Sequence, residues 1–240
     1  MSNFFRSFQI CSMVALLGVS AHAVVIQNFD TNVANSITGS GGAGNGIINP
    51  LYTPANGNSP CNNNTQMFPA ATFSVGPSAT ACHSLWTTPS GGASNVTNNF
   101  LLVNGATSNG GPQAIYVQSF NATSALAGTV SANFAGLFTS APASLTLQIK
   151  NGALTVIGGT TFSTNLAPAA WVTQSAAFTG VALNELLTVE IILNTFVSGG
   201  DDFAVDTLDI SFANPVPEPA TYLLFGSALI GLAVVRRRKS

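Results

Sequence analysis

Proton transfer and nucleophilic attack both need a positioned base, and residues 24–214 are poor in them. That stretch holds one histidine (His83), one lysine (Lys150) and seven carboxylates: Asp30, Glu185, Glu190, Asp201, Asp202, Asp206 and Asp209. A Ser-His-Asp arrangement would have to use His83, which adjoins Cys82 in a loop-like stretch with no oxyanion-type motif nearby. Sugar hydrolysis needs two carboxylates across a cleft, and Glu185 with Glu190 is the obvious pair. Their odd separation puts them on opposite faces of a regular strand, where they do not converge. The expectation is a protein that is not an enzyme. A secreted glycoside hydrolase drawing its carboxylates from loops is the remaining enzymatic alternative.

The other reactive side chains are Cys61 and Cys82, the only cysteines after Cys11. In an oxidising compartment they are expected to pair, closing a loop worth about 3 kcal/mol on the chain-entropy model. Two free thiols are the alternative. A metal centre at these cysteines is disfavoured, because His83 is the one histidine available to it.

Charge excludes further partners. One lysine against seven carboxylates leaves the middle of the chain at a net -6, so it has little with which to neutralise phosphates, and neither nucleic acid nor an anionic membrane surface suits it. Charged residues are only 6% of the chain, their place taken by Ser, Thr, Asn and Gly, which makes a neutral hydroxyl-and-amide surface. The 16 Phe, with many Val, Ile and Leu, supply enough apolar surface for a folded core.

The elements positioning these residues are strands. From Phe100 onward short alternating segments recur between turn residues, without sustained helical periodicity. Strands are predicted over 24–29, 100–103, 114–120, 129–134, 170–178, 186–193 and 203–212. Within SLTLQIKNGALTVI, Asn151-Gly152 is the preferred pair for a two-residue type I′ turn, which would set Lys150 opposite Ala153 and Leu147 opposite Val156. About nine strands suffice for two packed sheets, an antiparallel, jelly-roll-like β-sandwich of class all-β, with Trp171 and the phenylalanines between the sheets. Residues 39–95, broken by GSGGAGNG, PANGNSPCNNN and PSGGASN, read as a long flexible region and the place for variable recognition.

Both ends read as addresses. Residues 1–23 have a polar start with Arg6, an apolar run from Ile10 to Val19, and Ala21-His22-Ala23 as a small-x-small cleavage site, the three parts of a secretory signal helix. The other end reads VPEPATYLLFGSALIGLAVVRRRKS. Residues 220–235 carry no charge and as a helix would reach about 24 Å, a marginal span of a roughly 30 Å hydrocarbon core. The basic cluster Arg236, Arg237, Arg238 and Lys239 would stay cytoplasmic, leaving residues 24–214 outside. Val216-Pro217-Glu218-Pro219, a short apolar helix and a basic cluster, in that order, resemble the PEP-CTERM sorting tail over residues 215–240. The resemblance implies an exosortase as processing partner, a Gram-negative producer of exopolysaccharide, and cleavage or transfer near the motif. The alternative is a plain single-pass tail anchor with a proline-rich stalk.

In GGDDFAVDTLDISF, strict alternation gives Asp206 the parity of Leu208, Ile210 and Phe212, pointing it toward the core, where a carboxylate requires donors or a cation. The segment is similar to the closing strand of galactose-binding-like, carbohydrate-binding-module sandwiches. That resemblance implies a structural calcium ion held by Asp206 and by Asp30 in QNFD, to which Asp201 or Asp202 could add an oxygen. The alternative is a bulged strand in which Asp206 caps a turn. The function expected is a non-enzymatic cell-surface or matrix protein that binds or sits within exopolysaccharide. A structural adhesion or ice-binding protein is the runner-up, although Thr87-Thr88 and Thr160-Thr161 are isolated pairs and not a flat array.

Overall fold

The computed structural model describes residues 22–27, 29, 47–48, 51–55, 60–90, 99–106, 112–123, 126–138, 142–164, 170–196 and 200–213. All lie in one of the chain's two compact units, Ala21–Pro215. The apolar runs expected in the leader and tail, the motif 216–219, the basic cluster 236–239 and Asp30 lie outside the described residues. Among the described residues no helix is long and apolar enough to cross a membrane.

The architecture is a β-sandwich. Its strands are β1 (His22–Gln27), β2 (Ile47–Ile48), β3 (Thr53–Pro54), β4 (Thr72–Gly76), β5 (Phe100–Asn104), β6 (Gln113–Asn121), β7 (Leu126–Gly136), β8 (Ser144–Lys150), β9 (Val156–Ser163), β10 (Val172–Val181), β11 (Leu186–Leu193) and β12 (Phe203–Phe212). One sheet runs β10-β7-β12-β5-β4-β3, with β1 also on β12; the other runs β2-β6-β11-β8-β9. Every pairing is antiparallel except β3 with β4. Period-two alternation fills the space between the sheets: Leu145, Leu147 and Ile149 of β8 and Leu187, Val189, Ile191 and Leu193 of β11 meet Val130 and Phe134 of β7, Leu101 and Val103 of β5, and Phe203 and Val205 of β12. Along one side the sheets touch through β9 and β10. A Cβ on Gly158 would lie 2.2 Å from the Ala177 carbonyl oxygen, so only glycine permits that approach.

The described residues of region 39–95 are better organised than their composition suggests. They include β4, a strand of the seven-stranded sheet all five of whose residues are buried, and the segments on either side of it, within 60–90, form a cap over that sheet's outer face. There Met67, Ala79, Cys82 and Trp86 cover Phe100 and Leu102 of β5, Ala135 of β7 and Ala204 of β12, making a second apolar cluster. Trp171 packs, partly buried, against this outer cluster and not between the sheets; its ring meets that of Phe100 edge-on at 5.5 Å. The cap is pinned by the Asn104 amide donating to the Met67 carbonyl, by Thr87 N–H donating to Leu137 O (3.1 Å), and by the Cys61–Cys82 disulfide, whose Cα atoms are 5.0 Å apart.

The hairpin joining β8 and β9 is present, but not with a two-residue turn. Its loop is residues 151–155, closed by Leu154 N–H to Asn151 O (2.8 Å), Asn151 N–H to Thr155 O (2.9 Å) and Thr155 N–H to the Asn151 side chain (2.9 Å). The left-handed residue is Leu154 (φ 60°) and not Gly152. Lys150 therefore pairs with Val156 and Leu147 with Thr160. The Asn151 carboxamide, by holding the Thr155 amide, favours the wider loop over the I′ turn.

His22 pairs with Phe212, so the first strand starts where the last one ends. The same pole carries the connections at 122–125, 151–155 and 182–185, because Gly128 pairs with Phe212, Val181 with Leu126, Leu186 with Asn121 and Thr188 with Lys150.

Candidate functional site

Asp201 and Asp202 enter β12 at the pole opposite to the chain ends, and both are buried. Asp202 Oδ2 accepts the Trp86 indole N–H at 2.8 Å and its Oδ1 accepts Gly105 N–H at 3.2 Å, tying cap, β5 and β12 together. Burial raises the Asp202 carboxyl above its usual range, and the two hydrogen bonds only partly offset this. The Asp201 carboxylate fills the space beside Gly105 where a Cβ would come within 2.1 Å of it. Burial, then Asp201, pushes the nearby Tyr52 hydroxyl well up.

Asp206 is completely buried, as parity suggested, but by a different route. Phe203 and Val205 face the space between the sheets while Ala204 faces the outer cluster. The strand then bulges opposite β7 between Asp206 and Asp209, with Thr207 left-handed (φ 46°), and the phase shifts so that Leu208, Ile210 and Phe212 face inward. Asp206 stands at this step, its Oδ1 accepting from the Thr207 hydroxyl at 3.2 Å. Asp209 lies close by. Its carboxyl is raised by burial and then by Asp206, and its Oδ1 is buried without a hydrogen-bond partner.

Of the acids expected at the calcium site, Asp30 lies outside the described residues, and Asp202 stands apart from Asp206. Asp202 is four residues up-strand of Asp206, about 13 Å at roughly 3.3 Å per residue, and both its oxygens are engaged. Among the described residues no three of His, Cys, Asp and Glu form a metal-binding group. What fits a hard cation is the buried Asp206–Asp209 step, with its unpartnered oxygen.

The remaining carboxylates sit on the five-stranded sheet. Glu190 accepts from Lys150 Nζ at 2.8 Å and from Gln148 Nε2 at 2.6 Å, on the outer face. Glu185, in the loop before β11, accepts the backbone N–H groups of Ala182 (2.9 Å) and Gly152 (3.4 Å). Hydroxyls and amides pair elsewhere on that outer face: Ser119 bonds Thr188 (2.9 Å), Thr146 bonds Thr161 (2.7 Å), and Asn194 donates to Thr146 (3.0 Å).

The cap presents an aromatic ladder that the sequence reading did not single out. Phe68, 48% exposed, meets His83 at 4.4 Å, and His83 stacks on Trp86 at 4.9 Å with 17° between the planes. His83 Nδ1 accepts Leu85 N–H at 3.3 Å, which places the neutral ring's proton on Nε2, and burial lowers its pKa. Beside the ladder Gln66 Oε1 accepts from Asn62 and Asn63 N–H, while Gln66 Nε2 donates to Asn62 Oδ1 (3.0 Å). The disulfide joins the segments carrying Phe68 and His83, so the spacing of aromatics around Cys61 and Cys82 was the available signal.

Residues 215–239 match the PEP-CTERM protein-sorting motif. The PEP-CTERM tail implies an exosortase substrate, exported through a membrane-anchored precursor, and it includes Val216, Pro217, Glu218 and Pro219 with the basic Arg236, Arg237, Arg238 and Lys239. No curated protein matches the chain. Among solved structures it is similar to the CBM22-1 xylan-binding domain of Xyn10C from Paenibacillus barcinonensis (11% identity, 82% of this chain and 99% of that one, TM-score 0.45). It is also similar to the Stig cyclase Fisc from Fischerella sp. TAU (15% identity, 82% and 100% covered, TM-score 0.49). A third likeness is to arabinose-bound MgGH51 α-L-arabinofuranosidase (11% identity, 52% of this chain, TM-score 0.38), of which the chain spans about a fifth, 21%.

Proposed function

We propose that this PEP-CTERM chain is a non-enzymatic surface or exopolysaccharide-matrix protein of a Gram-negative cell, and that its disulfide-fixed cap binds a neutral carbohydrate. The observation that carries this is the half-exposed Phe68 ring, backed by His83 and Trp86 and bordered by the carboxamides of Asn62, Asn63 and Gln66. A pyranose offers an apolar face to such a ring and hydroxyl oxygens to amide donors. The charged group bonded to the ladder is the buried Asp202 carboxylate on Trp86, an anion that favours a neutral sugar over a uronate. A non-enzymatic role is supported by the use of Glu185, Glu190 and Asp202 in structural hydrogen bonds.

Affinity electrophoresis against neutral and acidic polysaccharides tests the reading. The neutral polymers should retard the protein, and Phe68→Ala should weaken binding about tenfold, the equivalent of about 1.4 kcal/mol. Retardation by none of them would overturn it, as would hydrolysis of chromogenic glycosides that is lost in Glu190→Gln. Thermal hysteresis in its place would favour the ice-binding alternative.

Calcium is proposed for the Asp206 step, with Asp30 as its partner. At about 100 times its dissociation constant the ion would add about 2.7 kcal/mol. Melting in calcium should exceed melting in chelator, and Asp206→Asn should remove the difference. Equal melting temperatures, with no metal by elemental analysis, would leave Asp206 an ordinary capped carboxylate.

A further inference from the structure

The pole at which β1 begins and β12 ends carries more exposed apolar surface than a wet loop cluster needs. Leu154 is 71% exposed, Leu183 59%, Leu186 52% and Val156 50%. They come from two connections that lie against each other: Gly152 N–H reaches Glu185 Oε1, and a Cβ on Gly152 would sit 3.6 Å from Leu186 O. Formal charge is almost absent. The connections at 122–125, 151–155 and 182–185 include one ionisable side chain, Glu185, and it is held by Ala182 and Gly152.

The position of the chain ends says what this surface meets. β12 ends at Phe212 and the uncharged run starts at Ala220, so seven residues separate them, at most about 25 Å when extended. His22 is paired with Phe212, which brings the N-terminal strand to the same place. A tail inserted in a bilayer would leave this pole within about 25 Å of the lipid surface.

We propose that this pole, through Leu154, Val156, Leu183 and Leu186, rests on the lipid surface of the membrane that holds the precursor's tail. Four aliphatic side chains on loops with no net basic charge suit the interfacial zone, where apolar groups enter the headgroup boundary without needing anionic lipid. Contact orients the sandwich, with Asp201, Asp202 and the Trp86 indole bonded to Asp202 at the pole facing away. Processing at the motif releases the tether and with it the contact.

Site-directed spin labelling tests this in the full chain with Cys11→Ser, the Cys61–Cys82 disulfide left intact. The chain is reconstituted in vesicles of zwitterionic phosphatidylcholine. Single labels go at Leu154→Cys, Leu183→Cys, Ala170→Cys near the opposite pole, and Ala228→Cys in the tail. Oxygen-to-nickel accessibility should be lipid-like at 154, 183 and 228 and water-like at 170. A lipid-like 228 with water-like 154 and 183 overturns the proposal while leaving the tail inserted. Low accessibility to both reagents at 154 and 183 also overturns it, since a protein surface then covers the pole. A water-like 228 removes the tether and the proposal with it. Hydrogen exchange on the unlabelled full chain is independent of any label: amides of 151–156 and 182–186 should slow in vesicles relative to detergent, and equal rates count against lipid contact.

Discussion

Asp202 is a carboxylate held in an apolar setting by an indole N–H and a glycine N–H, and the sign of its effect on stability follows from the direction of its shift. Its folded pKa is raised from 3.8, so the folded state holds the proton more tightly than the unfolded chain does. Stability linked to this group is present below about 3.8 and is lost as pH rises through the raised value. His83, lowered from 6.5 by burial, acts with the opposite sign, losing stability as pH falls below 6.5. Subtracting the urea-unfolding curve of Asp202→Asn from that of the parent isolates the first effect. The difference should fall with rising pH from about 4 and then level; a flat difference would show that Trp86 and Gly105 fully solvate the charge. The sequence made the burial of Asp206 legible but not its cause. Alternation counted back from Phe212 points Asp206 inward with Leu208 and Ile210, whereas the bulge at Thr207 breaks that phase and Asp206 is buried at the step itself; no local residue type announces a left-handed threonine.

At the scale of elements the cap is the feature composition concealed. Gly, Asn and Pro dominate 39–95, yet Met67, Ala79, Cys82 and Trp86 are spaced to cover one face of a sheet that lies far away in sequence. That pairing is tertiary, so no local window shows it. Strands such as β8 and β11 were legible because their alternation is intrinsic, and β5 as a short apolar run buried throughout, whereas β2 and β3, with two residues each, carry no period at all. Replacing Cys61 and Cys82 by serine should cost about 3 kcal/mol by the chain-entropy argument. It should also loosen the cap from Phe100, Leu102, Ala135 and Ala204. Far-UV circular dichroism should keep its strand signal while a hydrophobic dye binds and the melting temperature falls. A variant that melts with the parent and binds no dye would show that Trp86–Asp202 and Met67–Asn104 hold the cap unaided.

For the whole molecule, maturation is the first thing to measure. Intact mass of surface-extracted protein should lack residues 1–23 and everything beyond the Pro217-Glu218-Pro219 motif. A mature species that retains Arg236 to Lys239 would make the tail a lasting anchor. Pairing between β1 and β12 has a kinetic consequence. The two strands are separated by nearly the whole length of the body, and β12 is also the strand on which β5, β7 and β1 converge. Contacts of such long sequence separation form late and slowly. The larger sheet therefore cannot close until almost the last exported residue has emerged, which keeps the chain threadable through a translocation channel for as long as threading lasts. Secretion and folding are thereby placed in order by topology alone.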